Sequence, residues 1–215
     1  MVLTVDTAGD RTVHRGLRYM PDTSIRRAVP YRRMTWDFYQ DLQKLTPLPI
    51  IPKGIQTVED ARKAVDAGAP AVFLSNHGGR ALDGAPSALE VALEIHEQDP
   101  SIFQEVEVYA DGGVRYGTDV VKLLALGVRA VGVGRPMMYA NLFGSAGVIR
   151  AIDLLKAEIA SAAAGIGVAD LSTIDSSFVS GTMHEFKTDD MANSELVEAV
   201  TRWILQLIMA LANSA

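Results

Sequence analysis

A histidine and an arginine stand three positions apart, His77 and Arg80, inside the glycine-rich stretch SNHGGRALDG that follows an apolar run. These types suit proton transfer on a small anion. An imidazole can accept a proton near neutral pH, and a guanidinium can grip a carboxylate through two parallel hydrogen bonds. A histidine base needs an orienting carboxylate to set its tautomer and stabilise the imidazolium; Asp6, closing the apolar run at residues 2–5, is a candidate. Lys53 ends PIIPK and would place positive charge beside an electron-accepting ring. Two further loops pair glycine with arginine: DGGVRYG, with Asp111, Gly112, Gly113, Val114 and Arg115, and VGVGRP, with Gly134 and Arg135. Backbone N–H groups at a helix start beside a fixed cation make a phosphate site. Taken singly, each loop can do no more than turn the chain, the histidine can be structural, and the lysine can simply reach solvent. Two such loops after successive strands point to phosphate more strongly than either alone.

The elements that must position these residues show in the hydrophobic pattern. Short continuous apolar runs recur at 2–5, 48–51, 71–74, 106–109 and 130–133, as expected for strands buried on both faces. Helical patterns lie between them. TVEDARKAVDAG has Thr57 as cap, acids in its first turn and Gly68 as stop; in GTDVVKLLALG Thr118 can cap and Gly127 can terminate. SALEVALEIHEQDP and the segment 145–164 complete the set. Strand, loop and helix repeating about every thirty residues predict an α/β fold of consecutive crossover units with a parallel sheet. A closed (β/α)8 barrel is favoured over an open sheet because polar, reactive residues follow each strand, where such barrels carry their active face. Only five strands are counted where eight are required. After residue 179 the text turns polar and then becomes an apolar helix, predicting a barrel unit over 1–179 and a linker with a C-terminal helix over 180–215.

Composition narrows the function classes. The 215 residues carry a net charge of −6 and 48% hydrophobic side chains, so a sizeable core can form and nucleic acid is not the expected partner. The densest basic stretch, Arg26, Arg27, Arg32 and Arg33, is broken by Pro30 and reads as a solvated loop. Without cysteine there is no disulfide, thiolate metal site or cysteine nucleophile, and no metal site is expected. A reducing, cytoplasmic setting follows as an expectation, any organellar targeting signal lying upstream of Met1. No apolar run reaches the ~18 to 20 residues that span a bilayer. VLTVD directly after Met1 reads as a strand, so the chain is expected to begin inside a structural element.

PKG, SNHGGRALD, DGGVRYGTDVVKLLALG and VGVGRP, in this order and spacing, resemble the FMN-dependent α-hydroxy acid oxidases and dehydrogenases, the family of glycolate oxidase, lactate oxidase and the flavin domain of L-lactate dehydrogenase. The resemblance covers residues 2–179, and LTVDT is similar to the family's fourth barrel strand, so the chain corresponds to strands 4 to 8. It implies FMN as cofactor and oxidation of a small L-2-hydroxy acid to the 2-oxo acid. By position, His77 matches the base, Asp6 the aspartate supporting it and Arg80 the clamp on the substrate carboxylate. Lys53 matches the lysine beside the flavin N1 and C2 carbonyl, Thr4 and Ser75 residues that hydrogen-bond the flavin. Asp111, Gly112, Gly113, Val114, Arg115, Gly134 and Arg135 match those holding its ribityl chain and phosphate.

The family pattern departs in one stretch, TVDTAGDRTVHRGLR, which lacks the usual proline and glutamate; Arg11 is the nearest counterpart of a further substrate-contacting arginine. A part-barrel leaves edge strands that invite association, so a homo-oligomer or a companion carrying the N-terminal strands is expected. The competing readings are a catalytically dead half-barrel serving as an FMN- or phosphate-binding or interaction module, and another phosphate-binding barrel, such as type 2 isopentenyl diphosphate isomerase or inosine monophosphate dehydrogenase. The latter explains the DGG and GR loops but not SNHGGR.

Overall fold

The computed structural model describes residues 1–6, 34–82 and 84–179. Arg11, the basic stretch near residue 30 and the C-terminal helix expected over 180–215 lie outside the described residues. Five strands, β1 (Val2–Thr4), β2 (Ile51–Ile55), β3 (Ala71–Leu74), β4 (Glu107–Asp111) and β5 (Ala130–Gly132), form one parallel sheet in chain order. A parallel sheet in chain order brings every strand's C-terminal end to the same rim, so the reactive residues seen in the sequence share one side of the fold.

The second strand runs later than the sequence pattern suggested, over Ile51–Ile55 rather than 48–51. Its bonds to β1 involve Ile51, whose N–H donates to the Met1 carbonyl, and Lys53, whose carbonyl accepts from Val5. Pro52, which has no N–H, therefore costs this ladder nothing. Gly54 (φ +113) sits where the register against β3 shifts between Lys53 and Ile55, a local bulge.

The helices α1 (Trp36–Leu45), α2 (Val58–Asp66), α3 (Ala88–Gln98), α4 (Ile102–Glu105), α5 (Gly117–Ala125), α6 (Arg135–Ala140) and α7 (Gly144–Gly165) follow. Thr57 caps α2 through the Asp60 N–H, as the sequence indicated, and Ser87 with Glu90 forms a reciprocal capping box on α3. At α5 the cap differs from expectation. Thr118 lies inside the helix, and Asp119 accepts from the backbone N–H groups of Arg115 and Tyr116, at 2.9 Å each. The sequence pattern also missed α1, whose Thr35 caps it and whose buried Tyr39 donates its hydroxyl to the Ile50 carbonyl at 2.5 Å. Burial pushes that phenol up.

Val72, Leu74, Val108 and Ala110 face the helices and are buried with Ala61, Ala64, Val91, Ile95, Ile102 and Leu123, so the core lies between sheet and helix layer. The alternate strand positions, Phe73, Tyr109 and Asp111, look to the opposite face and are only half-buried. Among the described residues no helix is long and apolar enough to cross a membrane.

Candidate functional site

The site begins where β1 ends. Asp6 is almost wholly buried, its side chain 2% exposed, because Gly54 leaves room for it: a Cβ at position 54 would stand 2.6 Å from the Asp6 Cβ. Sequence reasoning missed that role for the glycine of PKG. From this seat Asp6 Oδ1 lies 3.1 Å from His77 Nδ1, while Asp6 Oδ2 is buried with no hydrogen-bond partner among the described residues. An aspartate on Nδ1 keeps the proton on that nitrogen, and Nε2 then carries the ring's lone pair.

The loop that presents His77 is held in an uncommon backbone shape. His77 has φ +58, followed by Gly78 (φ +68) and Gly79 (φ +71), three successive left-handed residues. For a non-glycine residue this conformation costs about 1–3 kcal/mol and persists only where surroundings impose it. Here they do. The His77 N–H donates to Ser75 Oγ at 3.1 Å, Arg135 Nη2 donates to the Gly78 carbonyl at 2.7 Å, and Arg80 Nε donates to the His77 carbonyl at 3.2 Å.

A second cluster stands beside the first. Lys53 Nζ donates to Ser75 Oγ at 2.6 Å and pairs with Asp111 Oδ2 at 2.9 Å, and the Ser75 hydroxyl donates to Asp111 Oδ1 at 2.5 Å. Buried Ser75 thus uses its one donor and both acceptor positions, tying the ends of β2, β3 and β4 together. The ammonium also lies 5.0 Å over the Phe73 ring, which meets Tyr109 edge-on. Thr4 is the register partner of Lys53 on β1.

The glycine loops divide by what surrounds them. A Cβ at Gly112 would stand 2.8 Å from Asn76 Oδ1 and one at Gly78 would stand 2.9 Å from Arg135 Nη2, whereas Gly79, Gly113 and Gly134 open onto free space. Val114 turns its side chain into the core, leaving only its backbone for a ligand, while Arg115 and Arg80 are exposed. The expectation that the start of α5 offers its N–H groups to an anion is corrected: those of Arg115 and Tyr116 bind Asp119, and that of Gly117 donates to Glu158 Oε2 at 2.8 Å. Asp119 and Glu158 escaped the sequence reading, although the aspartate three residues after Tyr116 is a capping signal.

The profile of the FMN-dependent dehydrogenase family matches residues 2–181. The chain belongs to that family. This FMN-dependent dehydrogenase family member is 46% identical over 147 residues to the L-lactate oxidase of Nostoc sp., covering 68% of this chain and 40% of the relative. It is 40% identical over 171 residues to the L-lactate dehydrogenase (cytochrome) of Saccharomyces cerevisiae, covering 78% of this chain and 29% of that one. Human 2-hydroxyacid oxidase 1 is 44% identical over 147 residues, 68% of this chain and 39% of its own. Among solved structures, a flavocytochrome b2 double mutant with pyruvate bound superposes with a TM-score of 0.72 at 39% identity, over 81% of this chain and 46% of its own. The chain thus spans less than half the length of these relatives, and its five parallel strands are the matching part of a (β/α)8 barrel.

Proposed function

We propose that this chain carries the base, the substrate clamp and the flavin-contacting loops of an enzyme that oxidises a small L-2-hydroxy acid to the 2-oxo acid with FMN. The observation that carries the reading is the Asp6–His77 pair standing next to the Lys53–Ser75–Asp111 cluster at one rim of the sheet. Its relatives' names, L-lactate oxidase and 2-hydroxyacid oxidase, fit this chemistry.

The residues present fit FMN. Gly113 and Gly134 border open space where side chains would intrude, Arg115 and Arg135 supply cations for a phosphate, and Lys53 supplies a partly buried ammonium for an electron-rich ring edge. FMN, when bound, supplies the two-electron acceptor; the protein does the rest. Thr4, Lys53 and Ser75 would hold the ring, and Asp111, Gly112, Gly113, Val114 (through its backbone), Arg115, Gly134 and Arg135 the ribityl phosphate. Arg80 binds the substrate carboxylate, with Arg11 as a second arginine for it. His77 Nε2 accepts one of the two protons lost as the hydroxy acid becomes the keto acid, and Asp6 stabilises the resulting imidazolium. Positioned acid–base help of this kind contributes ~10² to 10⁴ in rate.

The test supplies FMN to the chain, alone and together with a polypeptide carrying the remaining barrel strands, and follows the visible spectrum on adding L-lactate or glycolate. Flavin is retained and bleaches, and His77→Asn retains flavin while bleaching slows by about 10²-fold or more. Absence of flavin retention in both samples removes the binding claim, and bleaching of His77→Asn at the unaltered rate removes the base.

A further inference from the structure

Asn76 lies in the SNHGGR stretch without having been given a role from the sequence, yet its side chain links the loop that carries the base to two neighbouring segments. Its Oδ1 accepts the Gly79 N–H at 3.0 Å, an N–H that also donates to Asn76's own carbonyl at 3.0 Å, closing the left-handed turn from its side-chain end. Its Nδ2 donates to the Pro86 carbonyl at 3.1 Å, one residue before Ser87, the cap of α3. The third side of the amide is filled by the β4 loop: the hypothetical Gly112 Cβ would lie 2.8 Å from Oδ1 and 3.7 Å from Cγ. One planar amide thus spans the strained turn, the start of α3 and the glycine loop after β4. Its acceptor serves the turn and its donor the helix start, so the two ends of one amide are each used.

We propose that Asn76 is a positioning residue that, by tying Gly79, completes the support of the left-handed turn on which His77 stands and so aims the imidazole, and that Gly112 lacks a side chain to seat this amide. The positive φ at His77 needs imposed support. Ser75 and Arg80 support His77 itself, and Arg135 supports Gly78; the next residue, Gly79, is tied by Asn76. The consequence for catalysis rests on the function proposed above, whereas the consequence for the loop does not.

The experiment uses the full 215-residue chain with Asn76→Ala and Asn76→Asp. Loss of one hydrogen bond to a turn amide raises its opening about tenfold, so the Gly79 amide exchanges about tenfold faster in Asn76→Ala by NMR. The His77 Cε1–Hε1 resonance moves in the same variant. Asn76→Asp keeps an acceptor at Oδ1 but gives up the Nδ2 donor to the Pro86 carbonyl, so it restores the protection of the Gly79 amide alone. Unchanged Gly79 exchange and an unmoved His77 resonance in Asn76→Ala overturn the proposal. Should Asn76→Ala not fold, Asn76→Asp decides: native-like protection of Gly79 upholds the acceptor role and accelerated exchange overturns it. In the flavin assay Asn76→Ala keeps FMN and the KM for hydroxy acid while the reduction rate drops about tenfold or more; an unaltered rate overturns the aiming role. An unsubstituted chain that takes up no FMN either alone or with the polypeptide carrying the remaining barrel strands overturns the function proposed above, and the exchange measurement still decides the loop.

Discussion

The Asp6 carboxylate is buried with one oxygen on His77 and the other without a partner among the described residues, so its charge is placed beside the imidazole at a desolvation cost. That burden is intelligible if the negative charge is needed when the imidazole becomes cationic. Asp6→Asn can keep the hydrogen bond from Nδ1 and the tautomer while removing the charge. The expected outcome is flavin bound as before, a melting temperature equal to or above that of the unsubstituted chain, and reduction by hydroxy acid slowed by about 10²-fold. Stopped-flow absorbance and calorimetry check the two halves, and full-speed reduction in Asp6→Asn assigns the carboxylate to packing alone. At this scale the residue types were partly legible in the sequence: Asp6 lies against His77, as an imidazole in need of an orienting carboxylate suggested, whereas the pairing of Lys53 with Asp111 was not anticipated. What was not legible were the spacers. Gly54 carried no reading of its own and Gly112 was read as part of a ligand loop, yet at both positions a neighbouring side chain, Asp6 or Asn76, occupies the space a Cβ would take.

Between elements, the contact between α2 and the α3–α4 connection is electrostatic. Arg62 Nε lies 2.8 Å from Asp99 Oδ2, and the same guanidinium reaches Glu105 and Ser101. The Arg62 guanidinium, with Ser101 second, holds the Asp99 carboxyl below the usual carboxylate range. A carboxyl lowered in the folded state stabilises fully above its unfolded value and loses that contribution as pH falls through the lowered folded value. Asp99→Asn is therefore less stable than the unsubstituted chain at pH 7 by about 1 kcal/mol, roughly 2–4 °C in melting temperature for a chain this size. Thermal melts across pH check it: the gap closes as pH drops below the ordinary carboxylate range, and a gap independent of pH refutes the linkage. Element boundaries were the weaker part of the sequence reading, for physical reasons. β2 hides behind Pro49 and Pro52, residues that argue against strands, because its ladder to β1 does not use the proline nitrogen. The cap of α5 moves from Thr118 to Asp119, whose Oδ2 accepts the backbone N–H groups of both Arg115 and Tyr116.

Across the whole molecule, the described sheet has β1 and β5 at its edges, and beyond β5 the chain shows water a run of large apolar side chains. Met138, Tyr139, Leu142 and Phe143 are 65–80% exposed around α6 and the turn before α7. Large apolar side chains exposed in this number favour association. Light scattering across a concentration series is expected to give a mass above the 23.1 kDa of one chain, shifting toward that value in the Leu142→Lys, Phe143→Lys double variant. A monomeric mass at every concentration tells against these side chains as a contact.

Arg135 and Gly78 constrain each other's history. Residues 78 and 79 are adjacent glycines with nearly the same backbone angle, but only the first has a guanidinium 2.9 Å from where a side chain would begin. Position 79 can therefore drift to asparagine or aspartate, the side chains that tolerate a left-handed backbone best, without any other change. A side chain at position 78 meets the movable end of Arg135 and displaces the guanidinium, which takes the donor away from the residue 78 carbonyl. A change at either position is thus felt at the other through one contact between two loops.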